Sequence, residues 1–166
     1  VTIQPSGRPL PPSLTAASDR RVVTPVGAYQ VVLDTPDAPL GRGLRVDRHE
    51  LPNFLVITEG NIVAMDTPAW PQSGTYNQLI IAADGEVRLH NDTFGLLACF
   101  FSQAGGVLRV SNSLRLLRQA AGLSWDDLGI AEMYLFGGWT PTERTILRGA
   151  QRVAAGTEYR FRAGHA

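Results

Sequence analysis

Residues 78–90 read QLIIAADGEVRLH, and this stretch decides the fold of the chain. An apolar run at 78–83 and an alternating run at 86–90 flank the pair Asp84-Gly85. This pair is a strong signal for a two-residue hairpin turn, because Gly adopts a positive φ without steric cost. In the second run polar side chains alternate with apolar ones, which gives that strand one solvated face. The sequence therefore predicts an antiparallel hairpin here.

The same pattern predicts two further hairpins and two single strands, and each hairpin turn contains Gly. The hairpins pair 54–58 with 61–65 across Glu59-Gly60, where Gly60 or Asn61 supplies the positive φ, and 97–102 with 107–110 across Ala104-Gly105-Gly106. The single strands are 29–33 and 157–161. A segment with two Pro and two Gly, residues 35–43, predicts a loop.

In the C-terminal half the hydrophobic period lengthens, which indicates helices. The first predicted helix begins after Ser111 or Ser113, either of which could cap it, and it ends at Gly122. Its apolar residues share one face; they are Leu114, Leu116, Leu117 and Ala121.

The second predicted helix follows Ser124 and ends at Gly137-Gly138. Its first turn contains Asp126-Asp127, where acidic side chains complement the helix dipole. Adjacent helical residues point about 100° apart, so these carboxylates are not expected to form a catalytic pair. The apolar face of this helix is predicted to consist of Ile130, Met133, Tyr134 and Leu135.

Length and composition indicate one folded domain with an arm. The chain has 166 residues, of which 44% are hydrophobic and 18% charged, enough for one core without disulfides or metals. The Pro-rich residues 1–21 predict a flexible arm. Residues 22–162 are expected to form the domain, and 163–166 a tail or the start of a linker to a further domain.

The charge balance excludes several classes of partner. Basic and acidic residues number 15 each, so neither nucleic acid nor a membrane surface is expected as a partner. No apolar run approaches the roughly 18 residues of a membrane-spanning helix, and no charged-then-apolar leader opens the chain. A cytoplasmic protein is therefore expected. All basic residues are Arg, so Schiff-base chemistry on Lys is excluded.

No catalytic or metal-binding motif is present. His49, His90 and His165 lie too far apart for a metal site. The chain has neither a Gly-x-Ser-x-Gly elbow nor a phosphate-binding glycine loop with Lys. The single cysteine, Cys99, lies in an apolar run and is expected to be buried.

Three residues are candidates for facing a ligand. His90 lies at a predicted strand end, where functional side chains collect, although a turn carbonyl could equally satisfy it. Trp70 and Trp139 lie in loops next to Pro, where an aromatic side chain either stacks on a ligand or covers the edge of the core.

Residues 92–101 read DTFGLLACFF and resemble a segment of the glutaminase domain of the asparagine synthetase family. The family segment reads Asp-x-x-Gly-x-x-Pro-Leu followed by two aromatic residues; here Ala98-Cys99 replaces Pro-Leu. The resemblance continues through the strand and Ser-led helix at 107–117. It ends at 145–157, TILRGAQRVAAGT, which is similar to the family signatures Thr-Leu/Ile-Phe-x-Gly and Leu/Val-Pro-Pro-Gly-His/Thr.

This resemblance covers residues 78–161 in one consistent order and implies an N-terminal-nucleophile (Ntn) hydrolase fold. That is an α+β layered sandwich of antiparallel sheets with flanking helices, either complete or truncated. The family motifs map to six positions with structural roles: Asp92, Gly95, Ser113, Thr145, Gly149 and Gly156. The implied partner is a C-terminal synthetase domain of the same protein, which would use ATP and Mg²⁺. No cofactor is expected in this chain, and a homodimer is left open.

The residues that active family members need are missing. Such members use an N-terminal Cys as nucleophile and its own α-amine as base, whereas this chain starts Val1-Thr2-Ile3. Thr2 could act only after removal of Val1, and its Pro-rich surroundings do not resemble a buried first strand. The nearest match to the family's Asn-Gly oxyanion pair is Glu59-Gly60-Asn61, where a carboxylate would repel the developing negative charge.

We therefore expect a non-catalytic glutaminase-like domain that serves as a scaffold or interface for an ATP-dependent, amide-forming synthetase domain. The alternative from another class is a stand-alone binding module that uses the loops around Trp70 and Trp139 to hold a small ligand or a peptide.

Overall fold

The computed structural model describes residues 1–6, 21–26, 29–34, 46–51, 54–67, 70–138 and 140–162. The strands in these ranges are β1 Thr2–Pro5, β2 Arg21–Val26, β3 Tyr29–Asp34, β4 Val46–Leu51, β5 Phe54–Thr67, β6 Trp70–Ala82, β7 Glu86–Asn91, β8 Phe100–Ala104, β9 Val107–Ser111, β10 Gln151–Arg152 and β11 Glu158–Arg162. The helices are α1 Leu114–Ala121 and α2 Asp127–Leu135.

The described strands form two antiparallel sheets. Sheet A has the order β10-β8-β9-β1-β3-β2, and sheet B has the order β11-β7-β6-β5-β4. Their inner faces share one apolar core, whose buried members include Ile3, Leu55, Ile57, Leu79, Ile81, Val87, Leu89, Phe101, Leu108 and Val110. The chain is therefore an α+β sandwich, in agreement with the class predicted from the sequence.

Helix α1 covers the outer face of sheet A, where it packs on β8 and β9. Leu117, Leu147 and Ala150 form a second buried cluster there, with Phe100 of β8 packed against it. Sheet A thus has apolar packing on both faces.

Sheet B is also buried on its outer face. Val56 and Thr58 of β5 pair with Ile80 and Gln78 of β6, and all four side chains are at most 6% exposed. They alternate with the core residues of the same strands, so they point away from sheet A. An antiparallel sheet at the surface has one solvated face, so sheet B is an inner layer at this point.

Two of the three predicted hairpins are confirmed. β6 and β7 meet at Asp84-Gly85, where Gly85 has φ +89° and its N–H donates to the carbonyl of Ala82 at 3.0 Å. β8 and β9 meet at Gly105-Gly106, both of which have positive φ. The strands predicted at 29–33 and 157–161 are β3 and β11, while the loop predicted at 35–43 lies outside the described residues.

The hairpin predicted around Gly60 is wrong, because β5 runs without a turn from Phe54 to Thr67. Gly60 has φ +114°, and a Cβ placed on it would lie 2.1 Å from the carbonyl oxygen of Thr75. Glycine is needed here for the close approach of the neighbouring strand β6, and not for a chain reversal.

The flexible arm predicted for residues 1–21 does not begin at the first residue. Thr2–Pro5 is strand β1, which pairs with β3 on one side and β9 on the other. Thr2, Ile3 and Gln4 are at most 3% exposed. Pro5 is the last residue of the strand, where it is tolerated. The expectation that Thr2 lies outside a buried first strand was therefore wrong; residues 7–20 of the arm and the tail 163–166 lie outside the described residues.

Helix α1 has the predicted ends: Ser113 accepts a hydrogen bond from the backbone N–H of Leu116, and Gly122 has φ +64°. Helix α2 begins later than predicted. Asp126 is its N-cap, because the carboxylate accepts from the N–H groups of Leu128 and Gly129, and only Asp127 lies in the first turn.

The apolar face predicted for α2 is wrong in part. Tyr134 and Leu135 are about four-fifths exposed at 79% and 80%, and the buried residue of the helix is Gly129. A Cβ on Gly129 would lie 2.0 Å from the carbonyl oxygen of Thr145. The close approach at Gly129 decides which side of α2 faces inward.

In the part of the chain that the structure describes, no helix is long and apolar enough to span a membrane.

We predict that Gly60→Ala destabilises the fold by about 3 kcal/mol or more. Alanine is strained at this positive φ, and its Cβ would also overlap the carbonyl oxygen of Thr75. The matched control is Gly137→Ala: Gly137 has φ +73° but nothing within 4 Å of an added Cβ, so it should cost about 1 kcal/mol. Urea unfolding of both variants measures the difference. Equal losses would show that β6 does not approach Gly60 closely.

Candidate functional site

A polar network lies at one end of the space between the sheets, and we call it the interlayer polar cluster: Glu59, Asn77, Asn91 and Asn112. The Glu59 carboxylate accepts from Asn112 Nδ2 at 2.7 Å and from Asn77 Nδ2 at 3.1 Å. Asn91 Nδ2 donates to Asn77 Oδ1 at 2.9 Å. The cluster thus links β5, β6, the end of β7 and the residue after β9.

The cluster also holds the segment that leads into β8. Asn91 Nδ2 donates to the carbonyl of Leu97 at 3.1 Å, and Asn77 Nδ2 donates to that of Ala98 at 3.3 Å. A backbone carbonyl that water does not reach needs a hydrogen-bond donor from the protein. The amides of Asn77 and Asn91 are therefore engaged in internal hydrogen bonds.

Cys99 lies beside this cluster, and its side chain is buried. Burial raises the pKa of the thiol from 9.0 to about 12, and the negative charge of Glu59 adds to the rise, while the amino group of Val1 and the N–H of Phe100 partly oppose it. At neutral pH the thiol is protonated, and a protonated thiol is a poor nucleophile.

Val1 directly precedes β1 and pairs with Val110 of β9. Its nitrogen donates to the carbonyl of Val110 at 2.7 Å, and the N–H of Val110 donates to the carbonyl of Val1 at 2.9 Å. The Val1 side chain packs against the interlayer core. Thr2, one residue along, points to the opposite face of sheet A because side chains alternate along a strand.

Asp92 organises the loop that follows β7. It is fully buried, and its carboxylate accepts from the N–H of Phe94 at 2.9 Å and from that of Leu96 at 3.2 Å. Its carbonyl accepts from Gly95 at 3.0 Å and from Gly156 at 2.8 Å. Asp92 thus ties the loop 92–96 to the turn before β11.

Gly95 and Gly156 allow the loop 92–96 and the turn before β11 to approach each other. Gly95 has φ +60°, and a Cβ on it would lie 3.0 Å from Cβ of Ala155. Gly156 has φ +62° beside the backbone of Thr93. Both positions have a left-handed backbone, which favours glycine; space is short only at Gly95, because a Cβ on Gly156 would meet Thr93 at an ordinary 3.4 Å.

The other three family-motif residues also shape the backbone. Ser113 caps α1. Thr145 Oγ1 lies 3.1 Å from each of Leu147 O, Ala150 O and Leu147 N, which closes the turn that contains Gly149 at φ +80°. All six motif residues thus have a backbone contact or conformation that accounts for them without a ligand.

His90 faces the outer side of sheet B, away from the interlayer polar cluster. Its Nδ1 lies 3.0 Å from the hydroxyl of Tyr76. Burial lowers the pKa of His90 below its ordinary value, against the raising effect of Glu158 and Asp92. The pKa of Tyr76 is raised by burial and by the charge of Asp92.

The structure describes one of the two tryptophans. Trp70 is the first residue of β6 rather than part of a loop. Trp139 and His165 lie outside the described residues. Among the residues that the structure describes, no three His, Cys, Asp or Glu side chains come close enough to hold a metal ion.

Sequence reasoning missed Asn77, Asn91 and Asn112. A signal for Asn77 exists in the sequence, since residues 77, 79 and 81 share one strand face and a polar residue begins an otherwise apolar row. The contacts among the three amides depend on the register of β5, β6 and β7, which local sequence does not specify.

No protein-family model matches the chain, and no curated protein matches it.

We predict that Asp92→Ala destabilises the fold by about 2 kcal/mol, because backbone donors in the 92–96 loop lose their acceptor. The control is Asp127→Ala, which removes an exposed carboxylate from the first turn of α2 and should cost about 0.5 kcal/mol. Thermal unfolding by circular dichroism compares them. An equal effect would contradict the organising role of Asp92.

We predict that Cys99 makes the fold less stable as pH rises from 9.0 toward about 12. In that window the unfolded chain loses the thiol proton while the folded chain keeps it, so the free energy of unfolding falls by up to about 1.4 kcal/mol per pH unit. Urea titrations should show a shallower pH slope for Cys99→Ala. Identical slopes would show that the thiol is not buried.

Proposed function

We propose that this chain is a catalytically silent glutaminase-like domain of the asparagine synthetase family, which supports an ATP-dependent, amide-forming synthetase domain. The resemblance at 92–101 and 145–157 suggests the family, and the geometry around those segments is compatible with it. The finer assignment, an Ntn-hydrolase fold, is part of the same proposal. ATP and Mg²⁺ would bind in the synthetase domain.

The layering of the described elements favours this fold. Two antiparallel sheets pack face to face, α1 covers sheet A, and the outer face of sheet B is buried at Val56 and Ile80. A sandwich with both outer faces covered has more layers than a two-layer sandwich with solvated faces. The Ntn architecture implied by the resemblance has such outer layers.

The observation that carries the proposal is the placement of β1. An Ntn enzyme needs its first residue at the end of a central strand, with the nucleophilic side chain directed between the sheets. β1 lies between β3 and β9, and the Val1 side chain packs against the interlayer core. This central position of β1, between the two halves of sheet A, is compatible with the layered fold that the resemblance implies.

Thr2 and Cys99, the two residues near the start of β1 with a hydroxyl or a thiol, are poorly placed for nucleophilic attack. Thr2 is buried on the opposite face of sheet A, and the Cys99 thiol has its pKa raised to about 12. An oxyanion hole requires free donors aimed at the reacting carbonyl. Here the amides of Asn77 and Asn112 already donate to the Glu59 carboxylate, whose negative charge opposes an oxyanion.

A domain with this interior can act as a scaffold for a partner domain. The chain keeps the core and the loop joints that fold a glutaminase-like sandwich, and it exposes large apolar side chains that a partner can cover. In this role the amine for amide formation comes from ammonia or from an internal amine, because glutamine is not hydrolysed here.

The test uses the complete amide-forming protein that contains or accompanies this chain. We expect glutamate release from glutamine to stay at the blank rate. We expect Ile3→Asp, which buries a charge in the interlayer core, to lower ATP-dependent AMP formation at least 10-fold although Ile3 contacts no substrate. The control Phe94→Ser changes a side chain that is 78% exposed and should leave AMP formation unchanged.

Either of two results would contradict the proposal. Glutamate release above the blank would show that the domain is a working glutaminase. Full AMP formation by Ile3→Asp, with circular dichroism showing the chain unfolded, would show that the synthetase domain does not need it.

A further inference from the structure

Strand β11 forms one edge of sheet B. It pairs with β7 on one side and with no other strand in the described part of the chain. The edge strand β10 of sheet A differs, because the N–H of Arg152 donates to the carbonyl of Glu143 at 2.7 Å, so a neighbouring segment covers it. An uncovered edge presents backbone N–H and C=O groups that can pair with a further strand.

The ladder between β11 and β7 determines which backbone groups face the open edge. The N–H of Asn91 donates to the carbonyl of Thr157 at 3.4 Å, which makes these two residues a hydrogen-bonded pair. Such pairs recur at every second residue of an antiparallel ladder, so the odd-numbered residues of β11 bond toward β7. Three residues direct their backbone groups to the open edge: Glu158, Arg160 and Arg162.

The side chains of β11 divide between the two faces of sheet B. Tyr159 and Phe161 are partly buried and pack against the interlayer core, where both rings contact Phe101. Side chains alternate along a strand, so Glu158 and Arg160 lie on the outer face. There Arg160 Nε donates to the Glu158 carboxylate, and the Arg160 side chain is 66% exposed.

The charges on β11 are complementary to those of a second β11 strand. Charged side chains on an edge strand normally prevent pairing, but here opposite charges lie two residues apart. When two copies pair antiparallel about Tyr159, Glu158 of each copy lies opposite Arg160 of the other. A register centred on Arg160 would place that arginine opposite itself. Opposite charges across a strand pair stabilise it and like charges destabilise it, which favours the register centred on Tyr159.

The ion pair within β11 is compatible with this second contact. It joins Arg160 Nε to Oε1 of Glu158. A carboxylate has a second acceptor oxygen, and a guanidinium has five N–H donors. The terminal nitrogens of Arg160 and Oε2 of Glu158 can therefore bond to the other copy while the internal pair is kept. The four charges then alternate in sign across the strand pair.

We propose that β11 pairs antiparallel with β11 of a second copy of this chain, with the two Tyr159 residues opposite each other. Sheet B then continues from one copy into the other through backbone hydrogen bonds of residues 158 and 160. The second copy covers the open sides of Tyr159 and Phe161. The paired area is small, so the dimer is weak. The pairing does not depend on the proposed function.

Sedimentation equilibrium of the 166-residue chain tests the pairing. We expect dimers whose fraction rises with concentration up to the millimolar range. Arg160→Glu and Glu158→Arg each place like charges opposite each other, so each alone should raise the dimer Kd about 10-fold or more. An equimolar mixture of the two variants should restore dimers, because every cross-strand pair again has opposite charges. The control Arg148→Glu changes an exposed arginine away from β11 and should leave the Kd unchanged.

The swapped variant Glu158→Arg/Arg160→Glu separates charge pairing from damage to the fold. It makes both substitutions in one chain and keeps opposite charges across the strand pair. It should therefore dimerise like the unmodified chain, while circular dichroism of all the charge variants should show the same fold.

Cysteine cross-linking tests the register. A Glu158→Cys chain mixed with an Arg160→Cys chain brings the two thiols to directly opposite positions, with about 5.5 Å between Cα atoms, which is within disulfide range. Cys99 is buried and does not compete. We expect disulfide-linked dimers in the mixture and several-fold fewer from Arg160→Cys alone. More dimers from Arg160→Cys alone would contradict the register centred on Tyr159.

Three results would overturn the pairing itself. A chain that stays monomeric at millimolar concentration would show that β11 does not pair with a second copy. A dimer that Arg160→Glu leaves intact would show that another surface forms it. A mixture of the two charge variants that stays monomeric would show that Glu158 and Arg160 do not face each other between copies.

Discussion

Strand β1 joins two halves of sheet A that have no other pairing with each other among the described strands. β10, β8 and β9 lie on one side of it, and β3 and β2 on the other. Its four residues pair with β3, and two of them also pair with β9. Ile3 fills the interlayer core from the centre of sheet A and is fully buried. Without β1 the six-stranded sheet would split, and the core opposite sheet B would open.

The pairing of the strands also determines where the candidate site lies. β1 places the Val1 side chain against the interlayer core, and the strand register brings Asn77 and Asn91 beside the segment leading into β8. Internal partners there use the Glu59 carboxylate and the amide donors around it. The amide donors of Asn77, Asn91 and Asn112 are all engaged, while the buried Asn91 Oδ1 has no hydrogen-bond partner among the described residues. These hydrogen bonds join sheet B to the segment before β8 and to the residue after β9, and so help to hold the two sheets together.

Local signals predicted a good part of this fold. The turns at Asp84-Gly85 and Gly105-Gly106, and the ends of α1 at Ser113 and Gly122, follow from single-residue conformational preferences. These preferences act over a few residues, so the sequence shows them directly. Asp92 was singled out by resemblance, and its carboxylate indeed caps a loop.

The missed features depend on distant parts of the chain. Pro5 suggested an arm, yet the strand that it ends is central, because pairing with β3 and β9 outweighs local composition. Gly60 looked like a turn residue but serves the approach of β6. Which side of α2 faces inward follows from the close approach of Gly129 to the carbonyl of Thr145. Thr145 is distant in sequence, so the periodicity of the helix does not show this contact.

The central claim is that the first residues of the chain form a central strand, and hydrogen exchange tests it most directly. Backbone amides of residues 2–4 should exchange as slowly as those of β6 and β7 in the same sandwich, since all open only with the sheets. Exchange of residues 2–4 within seconds, as in a mobile arm, with β6 and β7 still protected, would contradict the account.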